Sequence, residues 1–175
     1  MRKKIVNNNT ASKIKTALME YFRYKNRMEL VCSEGINNAD INALNKNVLI
    51  EVEIKISKED FKKEFKCTSK SFFLDCKEQK HKNYAEPEKC IRYIVPNKFY
   101  FCVPENLCNW ALEYLKDKNP KYGLILYKPT SFMHKIVVKK SARKIHNKIP
   151  TNRIMSLVAK RAASELIILR RKIFI

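Results

Sequence analysis

Val48-Leu49-Ile50-Glu51-Val52-Glu53-Ile54-Lys55-Ile56 reads as a β-strand, the clearest in the chain. Side chains alternate across a strand, so Glu51, Glu53 and Lys55 share one face while Val52, Ile54 and Ile56 share the other. A second, shorter strand signal, Ala39 to Leu44, precedes it, and Asn45-Lys46-Asn47 supplies a turn between the two. That turn returns the chain so that Asp40 is expected beside Glu53, bringing two carboxylates and one ammonium to one point of a sheet. Such a set suits phosphodiester hydrolysis. Carboxylates are hard oxygen ligands for one or two Mg²⁺ or Mn²⁺ ions, which polarise a phosphate and lower the pKa of a bound water. The Lys55 ammonium would orient the attacking water or offset charge growing on the phosphate. The competing reading is an edge strand whose solvated acidic and basic side chains simply pair. The apolar residues on either side of each charge, and the preceding Asp40, weigh against it.

Outward from this strand the elements alternate. Asn8, Asn9 or Thr10 caps a helix expected from about Ser12 to Arg27, with Ile14, Ala17, Leu18, Tyr21 and Phe22 at helical spacing. Met28 to Ser33 reads as a strand closed by Gly35. Ser57-Lys58-Glu59-Asp60 matches a capping box, opening a helix that carries Phe61 and Phe65 inward. Residues 67–89 are Lys-rich without clear periodicity and read as a loop or frayed helix. Cys90 to Val95, Phe99 to Val103, Tyr122 to Tyr127 and Phe132 to Val138 are further strand signals. Pro104 starts a helix through about Leu115, whose Leu107, Trp110, Ala111, Leu112, Tyr114 and Leu115 read as a core face. A basic helix from about Thr151 to Arg171 closes the chain. The order predicts an α/β fold with a mixed central sheet flanked by helices.

The 175 residues fit one domain. Their 45% hydrophobic content argues against disorder. Lys and Arg number 37 against 17 acidic residues, a formal net charge of +20. So large an excess repels itself unless a polyanion neutralises it, which points to nucleic acid. The abundance of Lys, Asn and Ile equally suits a lysine-rich proteome from an AT-rich genome. No segment reaches the ~18 unbroken apolar residues of a membrane span, and the start carries no secretory signal, so a cytoplasmic protein with reduced thiols is expected. Six cysteines without a Cys-x-x-Cys pair read as small buried hydrophobes rather than zinc ligands.

The run Asn38-Ala39-Asp40-Ile41-Asn42-Ala43-Leu44, followed by Ile50-Glu51-Val52-Glu53-Ile54-Lys55-Ile56-Ser57 and Glu59-Asp60-Phe61, resembles the signature of the PD-(D/E)xK nuclease superfamily. It is most similar to the MmcB-like branch associated with DNA repair. Lys80-His81-Lys82-Asn83-Tyr84, Phe99-Tyr100-Phe101-Cys102-Val103-Pro104 and Tyr122-Gly123-Leu124-Ile125 extend the resemblance over residues 12–146. It implies a restriction-endonuclease-like domain over residues 1–146, with residues 147–175 as a basic helical extension packed on it. It also implies a metal held by Asp40 and Glu53, and Lys55 as the catalytic lysine. Relatives add an acidic residue from the first helix, for which Glu20 is the candidate, and Glu51 is a further candidate ligand. Ala39 stands where the superfamily name has Pro. Some members keep the fold and have lost cleavage.

Other basic residues are candidates for contacting phosphates: Lys80, His81 and Lys82, then Lys139, Lys140, Arg143 and Lys144. A solvated basic loop is the competing reading for the first group. His134 and His146 lack metal-ligand spacing. The C-terminal helix has apolar residues at helical spacing between its cations, so it would pack, meet a phosphate backbone, or pair two copies as a homodimer. The expected partner is DNA. Nothing distinguishes RNA, no helix-turn-helix or zinc-finger signature supplies base readout, and a non-catalytic DNA-binding module with the same fold is the alternative.

Overall fold

The computed structural model describes residues 2–66, 77–83, 94–130 and 134–173. Its α/β architecture centres on a six-stranded sheet in the order β1-β2-β3-β4-β5-β6. The strands are β1 (Leu30–Ser33), β2 (Ile41–Leu44), β3 (Leu49–Ile54), β4 (Lys98–Pro104), β5 (Gly123–Pro129) and β6 (His134–Lys140). The first three form an antiparallel meander, β3, β4 and β5 run parallel, and β6 returns antiparallel. Strand β3 is buried along its whole length, as a central strand covered on both faces must be.

Helix α1 (Arg2–Glu20) covers one face. Its Ile14, Ala17 and Leu18, with Phe22 just beyond it, pack on Ile41, Ala43, Ile50, Val52, Ile54, Tyr100, Cys102, Ile125 and Tyr127. The helix begins at Arg2 rather than near Ser12, because the chain before Ser12 holds no Gly or Pro to stop it. It ends in a π-helical turn, Tyr21–Lys25, which lets both Phe22 and Met28 enter the core. On the opposite face α2 (Lys58–Lys63) and α4 (Cys108–Lys118) bury Phe61, Ala111 and Leu115 against Phe99, Phe101, Val103, Leu124 and Leu126. As the capping box requires, Ser57 Oγ accepts from the Asp60 backbone N–H at 3.1 Å. Helix α4 is preceded by a 3₁₀ turn, Glu105–Leu107, so Pro104 ends β4 instead of starting the α-helix proper.

Helix α5 (Asn152–Ile173) lies over the β1–β2 end of the same face, where Val158 joins Cys32, Leu44 and Leu49. The irregular segment leading to it is tied down by Asn97. Asn97 Oδ1 accepts from Leu49 N at 2.8 Å, and its Nδ2 donates to Lys148 O at 2.7 Å. Residues 77–83 of the Lys-rich span form α3 (Lys77–Asn83); residues 67–76 and 84–89 of that span lie outside the described residues. Of the strand expected over Cys90 to Val95, residues 90–93 lie outside them too, and Ile94 and Val95 run as irregular chain before β4. Likewise Phe132 is outside, and the last strand is described from His134. Cys32, Cys102 and Cys108 are buried free thiols, while Cys67, Cys76 and Cys90 are not among the described residues. Among those residues no helix is long and apolar enough to cross a membrane.

Phe61 joins α2 to the sheet: its ring is fully buried, 4.3 Å from Phe101 and edge-on to Trp110 at 5.5 Å between centroids. Phe61→Ala is therefore expected to cost about 3–5 kcal/mol, read as a lowered denaturation midpoint.

Candidate active site

On the face of β3 that carries Glu51 and Glu53, two packed clusters stop short of one another. One lies under α5 and contains Leu49; the other lies under α2 and α4 and contains Phe101. The two carboxylates fall between them, paired in register with Phe99 and Phe101 of β4. On the other side Ile41 pairs with Val52, so the next step outward sets Asp40 opposite Glu53, as the turn predicted. Asp40 Oδ2 accepts from Ile54 N at 2.8 Å and Oδ1 lies 3.4 Å from Lys15 Nζ. This carboxylate is thus held by a backbone donor at the end of β3 and by a cation from α1.

Lys55 follows β3 on the same face as Glu53. Its ammonium is buried, 2.6 Å from Glu64 Oε1, 3.4 Å from Glu53 Oε2 and 3.9 Å from Asp60 Oδ2. Burial works against the charge, but Glu53, Glu64 and Asp60 together outweigh it and hold the lysine pKa above its ordinary value. Asp60 on α2 and Glu64, its C-cap in helical conformation, are four residues apart, so one face carries both to Lys55. That i,i+4 spacing of acids after the β3 lysine is legible in the sequence alone.

A second lysine at the centre comes from α3. Lys77 Nζ lies 2.6 Å from Glu51 Oε1, 3.0 Å from Glu53 Oε1 and 3.1 Å from the carbonyl of Asn37. Asn37, in the left-handed region at φ 61°, also directs its Nδ2 to Glu51 Oε2 at 3.4 Å and to Ile94 O at 2.6 Å. Glu51 is fully buried, and burial raises its carboxyl pKa against the pull of Lys77. Burial pushes Glu53 up to about 7; Lys77 and Lys55 pull it down, while Glu51 and Asp40 push it further up. Asn42, beside Glu51 in register, is buried with both amide atoms lacking a hydrogen-bond partner among the described residues. Gly35 lies directly against it: a Cβ there would meet Asn42 Oδ1 at 2.0 Å, so only glycine permits this approach.

The other candidate residues are placed elsewhere. Glu20 is exposed and lines a hollow with Tyr24, Lys25, His134 and Lys135, towards the β6 edge; α1 brings Lys15 to Asp40 instead of a carboxylate. His81 is buried, with Nδ1 2.6 Å from the Tyr122 hydroxyl. Burial, then Lys77 and Lys80, depress its pKa to about 3, so it is a neutral core side chain at pH 7 and offers no charge to a phosphate. Lys82 is exposed and pairs with Glu78 at 3.1 Å, and Lys80 is half-buried. Lys139, Arg143 and Lys144 are exposed, whereas Lys140 bonds the carbonyls of Pro120 and Tyr122. Lys139 and Lys140 belong to β6, separated from β3 by two strands and roughly 14 Å at ordinary strand spacing. Of the basic candidates, Lys139 and Lys140 therefore lie away from the carboxylates, and His81 brings no charge to them.

Asp40 and Glu53 are the side chains placed to hold a divalent cation. Glu53 Oε1 is buried and faces the Lys77 ammonium at 3.0 Å, so a divalent cation at this oxygen would compete with Lys77 for it. Those residues contain no group of three or more His, Cys, Asp or Glu side chains suited to a metal. Magnesium is commonly bound by one or two carboxylates with waters and substrate phosphates completing its shell, so two carboxylates fit such an ion. Glu51 is already engaged by Lys77 and Asn37. Comparison of the chain with protein-family models, with curated proteins and with solved structures finds no match.

Two measurements probe this centre. Lys77→Met strips the cation from two buried carboxylates and is expected to cost roughly 3–5 kcal/mol; adding Glu51→Gln should restore part of that in chemical denaturation. For Glu53, the folded-state pKa of about 7 exceeds the ordinary 4.5. Between those values the folded chain keeps a proton that the unfolded chain has released, so this group's stabilisation is full below pH 4.5 and is lost as pH rises through 7. The melting temperature of the wild type should thus fall relative to Glu53→Gln over that window; parallel profiles would contradict the assignment.

Proposed function

We propose that the protein is a metal-dependent nuclease that hydrolyses DNA phosphodiester bonds on a restriction-endonuclease-like fold of the PD-(D/E)xK kind. The observation that carries this reading is the placing of Asp40 across from Glu53, with Lys55 following on the same face of β3. In it, Asp40 and Glu53 hold Mg²⁺ or Mn²⁺. Held there, such an ion would supply Lewis acidity at the phosphate and lower the pKa of nearby water. The chain's own contribution is orientation. Glu64 and Asp60 fix the Lys55 ammonium beside Glu53, where it donates to the attacking water or to a phosphate oxygen as negative charge grows there. Ile54 N and Lys15 keep Asp40 from rotating away. Lys77 compensates Glu51 and Glu53 in the absence of the ion. The +20 net charge favours a polyanionic substrate and suits RNA as well as DNA.

A second reading has its own support. Lys77 already pairs with two of the three carboxylates, which suits a DNA-binding module of the same fold that needs no metal. The test that separates them is incubation with supercoiled, linear and single-stranded DNA, and with RNA, in Mg²⁺, Mn²⁺ or EDTA. The nuclease reading expects metal-dependent products, abolished by EDTA. Lys55→Ala should slow cleavage by about 10²–10³-fold while leaving binding nearly intact, and Asp40→Ala should abolish it. Cleavage by a well-folded Asp40→Ala protein would sink the assignment; steeply salt-dependent binding without product would favour the module.

A further inference from the structure

Between the 3₁₀ turn Ile36–Asn38 and helix α5 lies a hollow of about 360 Å³, lined by Glu34, Gly35, Asn38, Lys160, Arg161 and Ser164 among others. The α5 residues come from one stripe. Leu157, Lys160, Arg161 and Ser164 follow the i, i+3, i+4, i+7 spacing of a single helical face, while Ile154, Met155, Val158 and Ala162 on the neighbouring stripe pack on the sheet. Helix α5 is thus anchored along one side and presents two adjacent cations along the next.

Among the described residues neither Lys160 nor Arg161 forms an ion pair, and the Nε of Arg161 is buried without a hydrogen-bond acceptor. A buried guanidinium donor with nothing to bond is costly, and a bound anion would relieve it. The nearby carboxylates are already engaged. Glu165 accepts from the backbone N–H of Ser33 at 3.0 Å and from its hydroxyl, and Glu34, which lines the hollow, is covered by Lys15. Ser164 Oγ, bonded to Lys160 O at 3.0 Å, also faces the hollow.

The position of the hollow suggests which anion. One turn separates it from the carboxylates: Asn38 lines the hollow, and Asn37, its neighbour, bonds Glu51 and takes the Lys77 ammonium on its carbonyl. Asp40 follows two residues later. A nucleic-acid strand carries a phosphate about every 3.4 Å of helix axis, so a strand with one phosphodiester at Asp40 and Glu53 has others within reach of the far side of this turn. We propose that the hollow between the Ile36–Asn38 turn and α5 is a phosphate subsite, in which Lys160 and Arg161 grip the backbone of a strand that passes to the carboxylate centre. Arginine and lysine side by side suit a phosphate, the first through its planar fork and the second as a point charge. The subsite rests on the nuclease reading only for where the strand leads, not for its binding.

The test is the affinity of the full chain for a short fluorescein-labelled DNA strand, measured by anisotropy in EDTA across a salt series. Lys160→Gln/Arg161→Gln should weaken binding about tenfold. It should also flatten the plot of log Kd against log salt by about 0.7, the loss of one phosphate contact on a single strand. Lys118→Gln/Lys121→Gln, removing two exposed charges at and just beyond the end of α4, is the control for net charge and should change little. Lys160→Glu, at an exposed position, answers the question if the double variant is unstable, and should weaken binding more than the control does by a clear margin. Affinities equal to that of the control would overturn the subsite. So would an inorganic phosphate that raises the melting temperature of the wild type and not of the double variant while strand affinity is the same in both; the hollow would then hold a free anion. Pocket-dependent binding by a chain that never cuts would support the subsite and count against the nuclease, so the two failures are separable.

Discussion

Glu51 and Glu53 lie inside the sheet layer, and the fold has to meet the cost of putting them there. Two carboxylates on adjacent same-face positions of a central strand repel one another and lose their water; left alone, they would protonate or push the layers apart. Lys77 answers this from α3 by placing one ammonium within reach of both. Much else follows from that contact. Helix α3 is held to the centre at Lys77 and to the aromatic cluster at His81, which meets Phe99 and Tyr122. The Asn37 carbonyl completes the lysine's contacts, so the left-handed turn before β2 is tied to the same charge. Lys55 with Glu64 and Asp60 repeats the arrangement at the end of β3, one cation shared among several acids. The acids of this centre, Asp40, Glu51, Glu53, Asp60 and Glu64, still outnumber the lysines that hold them, Lys15, Lys55 and Lys77.

How much of this could be read from residues alone depended on whether the governing interactions were local. The alternation in Val48 to Ile56 set the faces of β3, and the three-residue turn before it set the register that faces Asp40 with Glu53. Both are short-range consequences of strand geometry. The capping serine of α2 was legible for the same reason. The role of Lys77 was not, since the Lys-rich span around it has no periodicity, and nothing local distinguishes the lysine that turns inward from those that stay in water. The expectation for Glu20 failed to meet the centre because helix phase decides which α1 side chain points at Asp40, and the phase favours Lys15. His81 looked like part of a basic run; its burial comes from Tyr122 and Phe99, distant in sequence. Beyond residue 147, Asn97 and Val158 bind the C-terminal region to the sheet through partners far away in sequence.

The distribution of positive charge also differs from what composition suggests. A net charge of +20 could have formed a continuous belt around the carboxylates. Instead several cations are consumed internally: Lys15, Lys55 and Lys77 by acids at the centre, and Lys140 by backbone carbonyls. Among the described residues, Lys160 and Arg161 of α5 stand at the hollow beside the turn that leads to Asp40, which makes the docking of that helix a matter of chemistry as well as stability.

That docking has a kinetic side. Asn97 joins Leu49 to Lys148, contacts that span 48 and 51 residues along the chain. Each closes a long loop, and loop closure must be met entropically before the contact repays it. The amide of Asn97 can satisfy both partners only after β3 and β4 have paired and the chain beyond β6 has returned to them. Helix α5 is therefore positioned in a late step of folding, and the turn beside Asp40 gains its neighbour across the hollow only then. The order of assembly thus separates a chain that has built its sheet from one whose surface beside the carboxylates is complete.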